Sequence, residues 1–406
     1  MQVLVANTLF PPNVVGGAEI SVQALVEALA GLGLDVHVLT LADGEERRLR
    51  LSDRAEASFL RLHPLGNLLL NPNRTLWQKA AWHAVGEIPH ASAALDRLLE
   101  EVRPVVVHTN NLTGLSTGVW RAAKRQGIPV VHTLRDYYLM CPRGTMFRNG
   151  ASCARPCRDC ALMTLPRRRA TRMVDAVVGV SRFILERHLD AGCFPKARHA
   201  LDIPIGYAPP EGAVRTPRPP GAPLRIGFIG RLHRTKGLDR LVQALPLLPR
   251  GGWTLSIAGK GQPDILSWLE TAVAGFPVTL RGWVAADAFF REVDVLVAPA
   301  TWQEPLGRTV AEALCHGVPV VASRVGGQQE QIRDGVNGLL YDPNSPGELA
   351  DHLGRLIADP ALADRLGDHA AAARVRFAPA AVAGAYRDLF HTVVAEAAGK
   401  AAGPGR

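Results

Sequence analysis

Short apolar runs alternate along this chain with stretches whose apolar positions recur at helical spacing, and the alternation occurs twice. Gln2–Ala6, Asp35–Leu41, Pro104–His108, Pro129–Thr133 and Ala176–Val180 read as buried strands. Between them, Glu19–Leu32 places Ile20, Val22, Leu25, Val26 and Leu29 on one helical face. Ser116–Gln126 and Ser181–Ala191 read as further helices. The pattern restarts at Leu224-Arg-Ile-Gly-Phe-Ile-Gly230, with strands at Thr254–Ala258, Val278–Arg281, Val293–Pro299 and Val318–Ala322. Residues 347–375 and Ala380–Ala397 read as helical. Such alternation predicts an α/β architecture with parallel, doubly wound sheets.

Between the halves, Pro209–Pro223 is too rich in proline to form a regular element, because proline interrupts helix and sheet hydrogen bonding alike. The predicted organisation is therefore a Rossmann-like domain over 1–208, a Pro-rich linker over 209–223 and a second Rossmann-like domain over 224–379. A closing helix over 380–398 is predicted as well. Two such domains flanking a linker imply a ligand cleft between them, beyond the carboxyl ends of the strands.

A length of 406 residues and a hydrophobic content of 47% are enough for two cores. No run approaches the ~20 apolar residues of a membrane span. Met1–Ala6 already reads as strand, so no secretory leader is expected and the chain reads as cytoplasmic. The net charge of +9 is uneven: residues 1–222 hold 27 Lys and Arg against 19 Asp and Glu. Much of the excess lies between Arg143 and Arg187 and includes Arg167-Arg168-Arg169. A surface of this kind could meet anionic lipid at the inner membrane face, or an anionic acceptor, or serve only for solubility. No basic strand interleaved with aromatics is present, so nucleic acid is not an expected partner.

The densest chemistry lies between Thr301 and Asp342. Glu304-Pro-Leu-Gly-Arg-Thr-Val-Ala-Glu312 reads as a loop entering a short helix, closed by Gly317 and followed by a strand. Glu304 precedes the helix and Glu312 lies about one turn inside it. Gly307, Arg308 and Thr309 open the helix, where backbone N–H groups form an anion site. Carboxylates accept hydrogen bonds from ribose or hexose hydroxyls, so the arrangement suits a sugar nucleotide. Gly230-Arg-Leu-His-Arg-Thr-Lys-Gly237 follows a strand and places Arg231 and Lys236 where both could reach one anion. Asn13-Val-Val-Gly-Gly-Ala-Glu19 follows the first strand, and Gly16 and Gly17 permit close backbone approach to a sugar or phosphate. His108 and Asn110, at the end of another strand, could line the cleft or pack in the core.

These motifs together resemble the retaining glycosyltransferases of the GT-B fold, family 4 type, the glycosyl transferases group 1. The resemblance covers most of the chain. It implies two Rossmann-like domains facing across a cleft, with the last helix crossing back to the first. It also implies transfer of a hexose from a nucleoside diphosphate sugar, such as a UDP- or GDP-sugar, to a hydroxyl acceptor. Arg231 and Lys236 would grip the diphosphate, Glu304 the donor sugar and Glu312 the ribose. Gly282 and Val284, in Arg281-Gly-Trp-Val284, would present backbone to the base. Relatives often carry a histidine just before Asp136, and this chain has Arg135 there. Arginine can contact phosphate or sugar hydroxyls but cannot shuttle protons. Asp136 would bind the acceptor or orient Arg135. No D-x-D pair occurs, which argues against the metal-dependent GT-A class, and no catalytic cofactor is expected. The Cys-Pro-Arg-Gly stretch resembles enzymes of cell-surface polysaccharide assembly, so the acceptor would be lipid-linked or a saccharide.

Cys141, Cys153, Cys157 and Cys160 cluster in an insertion at about 141–160. In a cytoplasmic chain the cluster fits a structural zinc beside the cleft, reduced thiols or an opportunistic disulfide. Two other functions stay open. One is a non-catalytic sugar-nucleotide-binding protein, suggested by Arg135. The other is a GT-B-fold epimerase acting on the sugar nucleotide itself.

Overall fold

The computed structural model describes residues 1–71, 75–87, 92–212 and 215–401. They form two compact units. The first contains residues up to Met146, Cys153–Gly206 and the segment from Pro379 onward; the second contains Phe147–Ser152 and Tyr207–Ala378.

In the first unit the strands are β1 (Gln2–Ala6), β2 (Asp35–Leu41), β3 (Arg47–Ser52), β4 (Ala55–Leu60), β5 (Val106–Thr109), β6 (Val130–Leu134), β7 (Ala176–Gly179) and β8 (His199–Asp202). They lie in the order β8-β7-β6-β5-β1-β2-β4-β3. Every neighbouring pair is parallel except β3 with β4. The central strands are apolar on both faces because helices cover both. Val22, Leu25, Val26 and Leu29 of helix Gly17–Gly31 pack into one cluster with Tyr386, Leu389, Phe390 and Val393 of helix Pro379–Ala401. The closing helix is therefore built into the core of this unit. The β3–β4 hairpin escaped sequence reading because its outer strand is charged. Arg47 and Arg48 pair with Asp43 and Glu101, and Leu49 and Leu51 stay exposed.

The second unit carries β9 (Leu224–Ile229), β10 (Trp253–Ala258), β11 (Val278–Gly282), β12 (Val295–Ala298), β13 (Val320–Ser323) and β14 (Gly338–Tyr341). All are parallel, in the order β11-β10-β9-β12-β13-β14. The chain runs outward from β9 through β10 to β11, then restarts on the other side of β9. This is a doubly wound sheet with its switch point between β9 and β12. The helical stretch expected over 347–375 is three helices, Pro346–Ala358, Pro360–Ala370 and Ala373–Phe377. Pro360 has no N–H to continue the first, and the Asp359 carboxylate caps the second by accepting from Leu362 N–H at 3.3 Å.

The Pro-rich segment is fastened to the second unit rather than loose, although Ala213 and Val214 lie outside the described residues. Thr216 N–H donates to Arg291 C=O at 2.9 Å. Arg215 donates to Asp294 at 3.0 Å and to Asp364 at 2.6 Å, and Arg225 donates to Asp294 at 2.7 Å. Asp294 is wholly buried. Burial alone would raise its pKa, but hydrogen bonds from Arg225 and the charges of Arg225 and Arg215 hold it below the ordinary carboxylate range. Its contribution is therefore present at neutral pH and fades as pH falls through the depressed pKa. Asp294→Ala strands these guanidinium groups and should cost about 3 kcal/mol or more, read by urea denaturation at pH 7. The loss should shrink at acid pH, where the wild type also loses the charge.

Candidate active site

The loop after β9 begins at Gly230 and is pinned by Leu232, whose N–H donates to Lys260 C=O at 2.8 Å. Arg231 is exposed beside it. Arg234–Lys236 makes one tight turn, capped by His233, whose Nδ1 accepts from Thr235 N–H at 3.2 Å. Gly237 then takes a left-handed φ of +75°, and a Cβ there would sit 1.6 Å from Pro299 C=O. Only glycine lets this loop press against the one that follows β12.

That second loop is tied to the first by Thr301 N–H donating to Thr235 C=O at 3.0 Å. Glu304 is 7% exposed. Its carboxylate accepts from the Lys236 ammonium and from Trp302 Nε1, the latter at 2.8 Å. Gln331 Nε2 donates to Leu306 C=O at 2.5 Å and Gly307 C=O at 3.2 Å, fixing the approach to the helix. Gly307 has φ +85°, and a Cβ would meet Gln328 Cβ at 2.8 Å. Helix Arg308–Cys315 starts there, so the amides of Arg308 and Thr309 lie in its first turn, which has no intrahelical acceptors. Glu312 is buried, and Arg308 Nε donates to it at 2.6 Å. Burial raises the Glu312 pKa, and Arg308 opposes the rise.

Lys236 and Glu304 thus meet directly across the switch point, although far apart in sequence. Arg231 shares the loop of Lys236, but Lys236 turns to Glu304 whereas Arg231 is exposed. Gly282 ends β11, two strands from β9, with φ +61°, and its C=O accepts from Gly259 N–H at 2.6 Å. Val284 packs against the cluster of Phe289, Phe290 and Val310. Sequence reading missed Trp302 and Gln331, which hold the Glu304 loop, and Gln328, which ties the ends of β12 and β13 by donating to Ala298 and Ser323 C=O. A polar side chain bonded to backbone carbonyls leaves no periodic trace.

In the first unit, Gly16 caps helix Gly17–Gly31, and its N–H donates to Glu19 Oε2 at 2.8 Å. Its φ is −154°, an extended value open to any residue, so the left-handed freedom of glycine is not used there, and Gly17 is the first helical residue. His108 resolves to core. Its Nε2 bonds Thr133 Oγ1 at 2.8 Å, it packs on Tyr386 and Phe390, and burial holds its pKa far below the ordinary value. Arg135 Nε donates to Asn110 Oδ1 at 2.8 Å. Asp136 Oδ1 accepts from Tyr138 N–H at 2.9 Å, and desolvation raises its pKa to about 6.

The arginine run is not one basic surface. Arg167 is buried between Glu87, at 3.3 Å, and the face of Tyr138, at 3.9 Å. Arg168 donates to Ala191 C=O at 2.5 Å, while Arg169 is exposed. The cysteine segment is compact: the Cys157 thiol reaches those of Cys153 and Cys160, and the Cys141 thiol lies close to both.

With this geometry in place, comparison with known proteins is direct. Residues 16–206 match the family described as glycosyl transferase 4-like domain, and residues 223–359 match glycosyl transferases group 1. An uncharacterized 42.6 kDa protein in the cps region of Klebsiella pneumoniae is 33% identical over 338 residues, covering 82% of this chain and 88% of that protein. The fold matches sucrose-phosphate synthase from Thermosynechococcus elongatus with TM-score 0.76 at 21% identity, over 97% of this chain and 99% of the other. It also matches Anabaena HepE in complex with UDP and glucose, TM-score 0.70 at 20% identity, over 97% and 100% of the two chains. Two Rossmann-like units of this kind define the GT-B fold class. The chain belongs to the group 1 glycosyl transferases and is a glycosyltransferase.

One prediction follows from Asp136. A raised folded-state pKa penalises the charged form, so this group's contribution to stability falls as pH rises from about 4 to about 6. Asp136→Asn keeps an acceptor for Tyr138 N–H but cannot ionise. Its stability relative to wild type should rise across that window in denaturation curves. A constant difference would refute the perturbed carboxyl.

Proposed function

We propose that the protein is a retaining, metal-independent glycosyltransferase that moves a hexose from a nucleoside diphosphate sugar to a hydroxyl acceptor. The observation that carries the reading is the Lys236–Glu304 contact where the β9 and β12 loops meet. An ammonium has three donors, so Lys236 can hold Glu304 and still address phosphate oxygens. Glu304, fixed by Trp302, would then receive donor-sugar hydroxyls beside the diphosphate. The first turn of helix Arg308–Cys315 supplies further anion donors, and Arg231 supplies a mobile exposed charge. Glu312 would take the ribose, which requires it to share its bond with Arg308. Gly282 and Val284 would offer backbone to the base, and Gly16 and Gly17 would lie near the sugar. Arg135 and Asp136 would serve the acceptor.

As the glycosidic bond breaks, negative charge grows on the leaving diphosphate. Lys236, Arg231 and the helix amides would stabilise it in place before the reaction, which lowers the barrier. Such fixed positive charge substitutes for a divalent ion, in keeping with the lack of a D-x-D pair. An acceptor attacking from the face the diphosphate leaves retains the anomeric configuration without an enzyme nucleophile.

The relative in a cps region and the UDP and glucose held by HepE favour a UDP-sugar donor and a role in cell-surface polysaccharide or glycolipid assembly. The acceptor would be lipid-linked or a saccharide. No helix among the described residues is long and apolar enough to cross a membrane. Leu162, Met163, Arg158 and Arg169 are all exposed, a combination suited to an anionic membrane surface at the cytoplasmic face. Sedimentation with vesicles containing anionic phospholipid should exceed that with neutral vesicles; equal recovery would remove the membrane from the reading.

The test begins with thermal shift against UDP, GDP, ADP and TDP, since a ligand that binds only the folded state raises the melting temperature. The stabilising nucleotide fixes the donor series for transfer assays. Proton NMR of the product should show the donor's anomeric configuration, and rates should not depend on added Mg²⁺ or Mn²⁺. Glu304→Gln should lower kcat by roughly a hundredfold with the fold retained, comparable to losing one preorganised polar partner. Sugar-nucleotide conversion without acceptor would instead favour an epimerase, and binding without turnover a non-catalytic module.

A further inference from the structure

Four thiols that serve no role in donor binding converge in the segment after β6. Cys141 follows the turn that begins at Tyr137, its N–H donating to Tyr137 C=O at 2.8 Å. The chain then leaves as the hairpin Phe147–Arg148 and Ala151–Ser152 and returns at Cys153, whose N–H donates to Met146 C=O at 2.7 Å. Arg187 donates to Cys153 C=O at 2.9 Å, holding the return strand. Cys157 precedes the short helix Arg158–Met163, and Cys160 lies on its inner side. The side-chain ligand atoms of Cys157, Asp159 and Cys160 fall within 4.8 Å of one another. The Cys157 thiol reaches those of Cys153 and Cys160, and the Cys141 thiol is near enough to influence Cys153 and Cys160 electrostatically. Cys141 and Cys160 are buried, Cys153 and Cys157 partly so, and Asp159 is exposed.

We propose that Cys141, Cys153, Cys157 and Cys160 form a structural zinc site of four thiolates that closes the base of the 147–152 hairpin. The spacing C-x3-C-x2-C puts three ligands on a loop and the first turn of a helix, while Cys141 approaches from the far side of the hairpin. Cys157 and Cys160 already form the tight group with Asp159, and Cys153 and Cys141 draw in to close the tetrahedral sulfur coordination at about 2.3 Å that zinc requires. Soft thiolates select zinc over the hard divalent ions that other transferases use. Four protein ligands leave no open position, so the ion takes no part in transfer. Asp159, exposed at the rim, yields its place to the buried Cys141 thiol when the soft ion binds. Binding releases the thiol protons to solvent, and no electron is transferred.

The segment carries little regular structure of its own. Its hairpin pairs only two residues per strand and its helix has six. A site of this type supplies folding free energy directly. Cys193 and Cys315, buried elsewhere, belong to neither the segment nor the site.

The test uses the full chain purified under reducing conditions. Elemental analysis should find about one zinc per chain, and titration of thiols with an organomercurial should release it as the cluster is modified. Cobalt exchanged into the protein should give thiolate-to-metal charge-transfer bands and the d–d pattern of a tetrahedral ion. Cys157→Ser should lose the metal, whereas Cys193→Ser should keep full stoichiometry. If Cys157→Ser does not fold, the cobalt spectrum of the wild type still decides. Metal-free reduced protein, iron with sulfide in place of zinc, an octahedral cobalt spectrum, or a disulfide between these cysteines in the folded protein would each overturn the site.

Discussion

The second unit depends on one meeting point, where the loops leaving β9 and β12 touch at the sheet's switch point. Three contacts hold it. Gly237 admits the Pro299 carbonyl into the space a Cβ would fill, Thr301 bonds Thr235, and the Lys236 ammonium meets the Glu304 carboxylate. All three act between the same two loops. The Glu304 carboxylate is largely buried, so it feels the Lys236 ammonium more strongly than a surface pair would. The same pairing that steadies the loops would, on the proposed reading, present charge of both signs to a ligand that carries phosphate at one end and hydroxyls at the other.

The first unit solves a different problem. Its sheet is longer, and its core is closed by a helix from the far end of the sequence, with the rings of Tyr386 and Phe390 tilted against His108. Burial under that helix explains why a histidine at the end of a central strand stays neutral and structural. The buried Arg167, held by Glu87 and Tyr138, makes the same point for a residue that looks like surface charge in the sequence.

Much of this was legible beforehand. The valine-rich runs announced the parallel strands because both faces of such a sheet are covered, Gly230 marked the end of β9, and Gly317 the end of the helix that begins at Arg308. The E-x7-E segment located the helix start to within a residue. What stayed hidden has a common physical cause. Hairpin β3–β4 hides its partner-facing side behind paired arginines. The break at Pro360 lies inside a stretch of good helix formers. The fates of Arg167 and His108 are set by residues distant in sequence, which no local pattern reports. The Lys236–Glu304 contact itself spans two motifs that were each visible, while their direct pairing was not.

The most direct measurement is an isothermal titration of the preferred nucleoside diphosphate into wild type and Lys236→Met at matched ionic strength. A charge-assisted hydrogen bond to phosphate contributes about 2 kcal/mol, so the variant should bind roughly thirtyfold more weakly. Equal affinity in a folded variant would contradict the claim that the β9–β12 crevice grips the diphosphate through Lys236.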